Sequence, residues 1–105
     1  MSSIACRELI AESIDGERFQ IVVRVHQPEP DPRGHWACTV EVEGMPNGSG
    51  RADGIDSLQA LLLAVGLARG QLNRFEKQGG KFYFPGDELN GNGPISVAEL
   101  FGVGA

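Results

Sequence analysis

The chain has 105 residues, 41% of them hydrophobic, which suffices for one core and predicts a single domain over residues 1–105. Its net charge of -5 and its nine scattered Lys and Arg residues argue against a nucleic-acid surface, because phosphate binding needs clustered basic side chains. Residues 1–13 lack a basic stretch followed by an apolar run, so no secretory signal is indicated and we expect a cytoplasmic protein.

The first part of the chain alternates between apolar and polar residues, as the strands of a half-buried antiparallel sheet do. Strands are predicted at residues 6–14, 18–26, 35–43 and 50–53. Asp15-Gly16 is a strong turn signal between the first two strands, and Met45 to Gly48 predicts a second turn. Three prolines in the segment QPEPDPRG, residues 27–34, predict a loop without regular strand pairing.

A long helix is predicted over residues 56–78, where Asp56 and Gln59 have the spacing of a capping box. Its three-and-four spacing predicts one core face, formed by Leu58, Leu61, Leu62, Val65, Ala68, Leu72 and Phe75.

Leu63 and Leu67 fall on the opposite side of the helix, beside Gly66 and Gly70, and this second apolar patch needs a cover. Each interior glycine costs roughly 1 kcal/mol relative to alanine, a cost more easily understood if another backbone packs there. The cover is either the chain's own tail, our first candidate, or another subunit. Polar residues interrupt the apolar run, so a membrane span is rejected.

After the helix, Gly79-Gly80 predicts a C-cap, and residues 81–84 predict a fifth strand. Ser96 and Glu99 form a second capping box on a short helical turn. The predicted fold class is therefore α+β: a curled antiparallel sheet of four to five strands packed on one long helix, with a short C-terminal helical turn.

Few residues suggest chemistry. Cys6 and Cys38 lack metal-ligand or redox spacing, so we interpret both as buried thiols, with an inter-strand disulfide as the alternative. His26 and His35 flank the proline loop, and with Glu29 or Asp31 they suggest a two-histidine, one-carboxylate metal site. The simpler interpretation is two solvent-facing histidines. We expect no metal, no cofactor and no catalytic set.

The candidate binding residues lie on strands and on the back of the helix. Glu41 and Glu43 lie on one strand face, where they form either an ordinary solvated surface or an acidic patch for a basic partner. Trp36 is either a core residue or an interface anchor. The glycine-rich stretch that contains Arg51 and Asp53 leads into the helix N-terminus, and its spacing predicts a hairpin connection rather than a phosphate loop.

The string GIDSLQALLLAVGLAR, after a strand with Trp and Cys and a glycine-rich turn, resembles a family of small uncharacterised bacterial domains. The resemblance covers roughly residues 35 to 85, and its motif is carried by Gly54, Asp56, Ser57, Gln59, Ala60 and Leu61. It implies a meander with a capped core helix and no assigned catalytic residue. A looser analogy in size and acidity links the chain to immunity proteins of bacterial toxin systems.

Two hypotheses follow. The first is a non-enzymatic protein-binding module that associates with itself or blocks a basic partner, through Glu41 and Glu43 or through Leu63 and Leu67. The alternative is a small enzyme or a ligand- or metal-binding protein with a cleft near His26, His35, Arg51 and Asp53. Neither hypothesis involves a nucleic acid or a membrane.

Overall fold

The computed structural model describes residues 2–46 and 48–102, which form an open antiparallel sheet packed on one long helix. This is the predicted α+β class, with six strands rather than four to five. In chain order the elements are β1 (Ser3–Glu12), β2 (Arg18–His26), β3 (Glu29–Pro30), β4 (Trp36–Glu43), β5 (Ser49–Gly54), α1 (Ser57–Lys77), β6 (Lys81–Tyr83) and α2 (Val97–Leu100).

The sheet runs in the order β5-β4-β2-β1-β6, and β3 pairs with the start of β4 on the β2 side. The β1–β2 hairpin turns at Asp15-Gly16 as predicted, with Gly16 at φ +86°. Alternation along β2 and β4 places Ile21, Val23, Val40 and Val42 in the core beneath α1, as their period of two requires.

Alpha helix α1 begins after Asp56, whose carboxylate accepts from the Gln59 amide at 2.8 Å. The Gln59 side chain accepts in turn from the Ile55 amide, so the capping signal is confirmed with its return bond one residue earlier than in the standard box. The helix ends at Lys77 with Gln78 as its C-cap, and Gly79 follows with φ +94°, as expected after a C-cap.

The predicted core face of α1 is confirmed at Ala68 and Leu72 and is wrong at Leu58 and Leu62. The fully buried residues are Ala60, Ala64, Ala68 and Leu72, a row with a spacing of four. Leu58 and Leu62, predicted to be core residues, are exposed by 63% and 60%. Leu61, Val65 and Phe75 are only half-buried.

Small residues explain this orientation of α1, which lies mainly over β4 and β5. A methyl group added to Gly54 would lie 2.5 Å from the backbone nitrogen of Ala60, so strand and helix backbones approach too closely for larger side chains. A methyl group added to Gly50 would lie 3.2 Å from the side chain of Leu67. The close approach at Gly54 therefore favours a small residue at Ala60, the first of the alanine row.

The proline loop is more regular than predicted, because Glu29 and Pro30 pair with Ala37 and Trp36 as the two-residue strand β3. Strand β3 lies at the edge of the sheet. A proline is tolerated there, because its missing N–H can face solvent and not another strand. The predicted turn after β4 includes Asn47, which lies outside the described residues.

The carboxyl-terminal segment packs at the other end of α1. Ser96 caps α2 by accepting from the Glu99 amide at 3.1 Å, as its capping box predicted. The Val97 amide donates to Glu76 of α1 at 3.0 Å. Leu100 and Phe101 line an apolar groove with Leu72, Leu9 and Val23. The described part of the tail, up to Gly102, therefore does not cover Leu63 and Leu67, and our first candidate for that cover was wrong.

The two cysteines differ from one another. Cys38 is buried, and its thiol lies 3.2 Å from the backbone oxygen of His26. Burial raises the pKa of this thiol, because a low-dielectric surrounding disfavours the thiolate. Cys6 is exposed, which corrects the prediction of two buried thiols, and both cysteines are free.

Within the described residues, no helix is long and apolar enough to cross a membrane.

Candidate functional site

The most unusual surface of the molecule is the solvent side of α1. Four leucines there are exposed by 41–63%, and we call them the leucine face: Leu58, Leu62, Leu63 and Leu67. At about 100° per residue, Gly66 and Gly70 lie between the two pairs of leucines. A methyl group added to either glycine would meet nothing within 4 Å. Open space therefore lies above the two glycines, beside the leucine face.

One edge of the leucine face adjoins the sheet. Leu67 lies over Gly50 of β5, and Leu63 lies one turn earlier on the same side of α1. On the other edge, Leu58 borders a cleft with Leu61, Pro28 and Trp36. The face therefore extends across the helix from strand β5 to the proline loop.

Strand β5 is the outer strand on that side of the sheet, paired only with β4 within the described residues. The Val42 amide donates to the Gly48 oxygen at 2.7 Å, which sets the phase of the ladder. Residues of an antiparallel strand alternate in direction, so the amides and carbonyls of Ser49, Arg51 and Asp53 point away from β4. Backbone groups able to pair with another strand thus lie beside Leu63 and Leu67.

The acidic strand face predicted at Glu41 and Glu43 exists, but each carboxylate has a cationic or titratable neighbour from β2. Glu43 lies 3.5 Å from Arg24, and Glu41 bonds to the imidazole Nε2 of His26. The Arg24 pair reduces the charge that Glu43 offers to a basic partner, and the bond to His26 occupies an oxygen of Glu41 that such a partner would need.

Arg51 and Asp53 belong to a small ionic cluster on the exposed side of β5. Arg51 contacts Asp31 at 2.7 Å and Asp53 at 3.3 Å. Asp31 also accepts from the side chain and the backbone of Arg33. These hydrogen bonds with Arg33 are the main cause of an Asp31 pKa well below its ordinary value, because they favour the carboxylate.

The two histidines do not share a site. His26 is buried, contrary to the solvent-facing interpretation, and its Nδ1 has no hydrogen-bond partner among the described residues. His35 is exposed as predicted, and it borders an open cleft of about 380 Å³ with Arg33 and Asp53. No group of three His, Cys, Asp or Glu side chains suited to a metal ion occurs in residues 2–46 and 48–102. His26 and His35 therefore do not line one common cleft, as the sequence had suggested.

Trp36 is half-buried and packs against the core, while it also borders the cleft beside Leu58. Its packing agrees with the core interpretation, and its role as an interface anchor stays a prediction.

Sequence reasoning missed Leu58 and Leu62 as surface residues. The signal that could have found them is the row Ala60, Ala64 and Ala68, whose spacing of four continues to Leu72. A row of small residues marks the side of a helix that approaches another backbone closely, whereas hydrophobicity alone favours the leucines.

Comparisons with curated proteins and with solved structures find no match to this chain. The model of a family described as a domain of unknown function, DUF6968, matches residues 5–94. This range includes all six strands except the first two residues of β1, and it includes the whole of α1. The resemblance to a small uncharacterised domain is thereby confirmed, and the chain belongs to the DUF6968 family.

Proposed function

We propose that this domain is a non-enzymatic protein-binding module whose contact surface is the leucine face of α1. The observation that carries the proposal is the exposure of Leu58, Leu62, Leu63 and Leu67 on one helix. Several exposed leucines close together on one helix mark an interaction site more often than a single exposed leucine does.

The charges of the molecule support the leucine face over the acidic strand face. Glu41 and Glu43 are paired internally with His26 and Arg24, whereas the leucines have no comparable cover in the described structure. A basic partner, as in the analogy to toxin immunity proteins, would have to compete with those pairs. An apolar partner surface would need only to displace water from the leucines.

The alternative, a small ligand-binding protein or enzyme, is favoured by one observation, the open cleft beside His35 and Asp53. Arg51 is engaged by Asp31, and His26 bonds to Glu41 away from this cleft. The residues expected to act together are therefore separated, and we rank this function second.

The test compares three purified baits: the wild-type chain, Leu62→Asp and Leu63→Asp, with Leu89→Asp as a matched control. Leu89 is 78% exposed on the loop after β6, so its substitution adds the same charge away from α1. Each bait is passed over lysate of the source organism, and any protein captured in stoichiometric amount is purified and titrated by calorimetry.

We expect wild type and the Leu89 variant to bind one partner with equal dissociation constants, and at least one leucine-face variant to bind about tenfold more weakly or worse. Self-association of the bait, measured by sedimentation, counts as a partner on the same terms. Equal binding by all four proteins, or binding by none of them, would overturn the proposal.

A further inference from the structure

We infer that the partner of this surface is a second copy of the same chain, joined by antiparallel pairing of strand β5 with its symmetry mate. The inference rests on the proposed function and makes it specific. Leu63 and Leu67, the β5 edge of the leucine face, would meet their own copies across a sheet that continues from one subunit into the next.

The first support is the state of the sheet edges. Natural proteins protect edge strands by keeping them short, or with prolines, bulges, charged side chains or a covering segment. At the far edge, β6 has three residues, and Ile95 bridges to its Phe82. Beside β6, residues 3–9 of β1 also have no second partner strand among the described residues, but a register shift lies between Ser3 and Ala5. Strand β3 has two residues, one of them proline. Strand β5 has six residues in unbroken register with β4 and no proline, and its two charged residues have opposite signs.

The second support is the charge pattern along β5. Arg51 and Asp53 are two positions apart and exposed on the same side of the strand. When two copies run antiparallel about a twofold axis at Ala52, Arg51 of each copy faces Asp53 of the other. The pattern is complementary to itself. Arg51 already contacts Asp31 and Asp53 in the single chain, so the pairs across the interface would share or replace those contacts.

The backbone agrees with this register. Arg51 and Asp53 are both residues whose amide and carbonyl point away from β4, so each facing pair exchanges two N–H···O bonds. On the other face of β5, the facing residues are Gly50, Ala52 and Gly54, all small. They present no bulk to the interface beneath the two helices.

The third support is the position of Leu63 and Leu67. Leu67 lies over Gly50 on the β5 side of α1, and Leu63 precedes it by one turn. A twofold axis through β5 brings these leucines of both copies to the same side of the joined sheet. They would bury each other where the single chain leaves them 48% and 41% exposed.

The test is charge reversal with complementation. Arg51→Asp and Asp53→Arg each place like charges opposite one another across the proposed interface, whereas a mixture of the two variants restores opposite charges. Sedimentation equilibrium measures the mass of each variant, of the mixture and of wild type, against a single-chain mass of 11.2 kDa.

We expect wild type to sediment as a dimer. Each single reversal should weaken the dimer about tenfold or more, and the equimolar mixture should regain it. A monomeric wild type, or a mixture no more associated than the separate variants, would overturn the inference. The complementation controls for misfolding, since two unfolded variants would not restore a dimer.

An independent readout uses the wild-type chain alone. Dimer formation should slow hydrogen exchange of the Arg51 and Asp53 amides as protein concentration rises, by about tenfold or more. The Ala52 amide points toward β4 and should be protected at every concentration. Exchange at Arg51 and Asp53 that does not depend on concentration would overturn the β5 pairing.

The two proposals fail in different ways. If Leu63→Asp loses a partner while the charge reversals change nothing, the binding module stands and the β5 dimer is wrong. If leucine-face variants and charge variants all behave as wild type, both proposals are wrong.

Discussion

The two sides of α1 differ in side-chain size, and the smaller side chains are the buried ones. Ala60, Ala64 and Ala68 are fully buried against the sheet, whereas Leu58 and Leu62 are exposed by more than half. Close approach to a glycine-containing strand favours alanine on the inner side, because larger side chains would hold the backbones apart. Leucine on the outer side contributes little to the isolated chain, which is the reason to assign it to an interface.

The largest change in stability is expected when a side chain is enlarged between α1 and the sheet. Gly54→Ala should lower the free energy of unfolding by about 3 kcal/mol, near the upper range for overpacking, because its methyl would lie 2.5 Å from the Ala60 backbone nitrogen. Urea denaturation of the variant and wild type measures this difference. A loss below about 0.5 kcal/mol would mean that α1 does not approach β5 as closely as the structure has it.

A charge on the outer side of α1 should destabilise the fold less than Gly54→Ala does. Leu67→Asp should lower the free energy of unfolding by about 1–2 kcal/mol, since Leu67 is 41% exposed and its replacement can reach water. If the β5 dimer forms, Leu67→Asp should also abolish self-association. Chemical denaturation and sedimentation measure the two effects, with Leu89→Asp as the control. A loss above about 4 kcal/mol would show instead that Leu67 is covered within the single chain.

The ionic cluster beside β5 should contribute to stability in a pH-dependent way, by less than the two changes above. The pKa of Asp31 is lowered from its ordinary 3.8, mainly by its hydrogen bonds with Arg33. The ionised form is thus favoured by folding, so its stabilising contribution is present above pH 3.8 and is lost as the pH falls through the lower folded pKa.

Asp31→Asn should therefore melt at a lower temperature than wild type at neutral pH, and the two should converge in strong acid. Calorimetric melting across the acid range measures the gap, and Asp15→Asn in the exposed β1–β2 turn serves as the control. A gap that stays constant with pH would contradict the assigned pKa direction.

The smallest change in stability is expected at Gly66, which can be compared directly with Gly54. Gly66→Ala adds the same methyl as Gly54→Ala, but nothing lies within 4 Å of it. It should raise the free energy of unfolding by up to about 1 kcal/mol through helix propensity. A destabilised monomer in urea would contradict the exposure of Gly66. A more stable monomer that no longer associates would show that a second backbone packs on this glycine.

Local signals predicted the elements well, because caps and turns depend on a few neighbouring residues. Asp56 and Gln59 marked the start of α1, Asp15-Gly16 marked the first hairpin, and Ser96 marked α2. Strand β3 was missed because its pairing with Trp36 and Ala37 needs the loop to turn back on β4, which the prolines alone do not reveal.

The candidate site was predicted only in part. Leu63 and Leu67 were identified from the helical projection as an apolar patch in need of a cover. Leu58 and Leu62 were assigned to the core because the projection counts hydrophobic residues and ignores their size. The burial of His26 and its bond to Glu41 depend on the register of β2 against β4, which alternation within each strand does not specify.

The sequence by itself determined the periods, the caps and the turns of this protein, and hence an antiparallel sheet with one long helix. Only the tertiary structure decided which side of α1 faces that sheet. A helix with apolar residues on several sides has no unique inner face until the size of the opposing residues is known. In this protein the close approach of Gly54 to Ala60 admits a small residue there, and the alanine row faces the sheet while Leu58 and Leu62 stay outside.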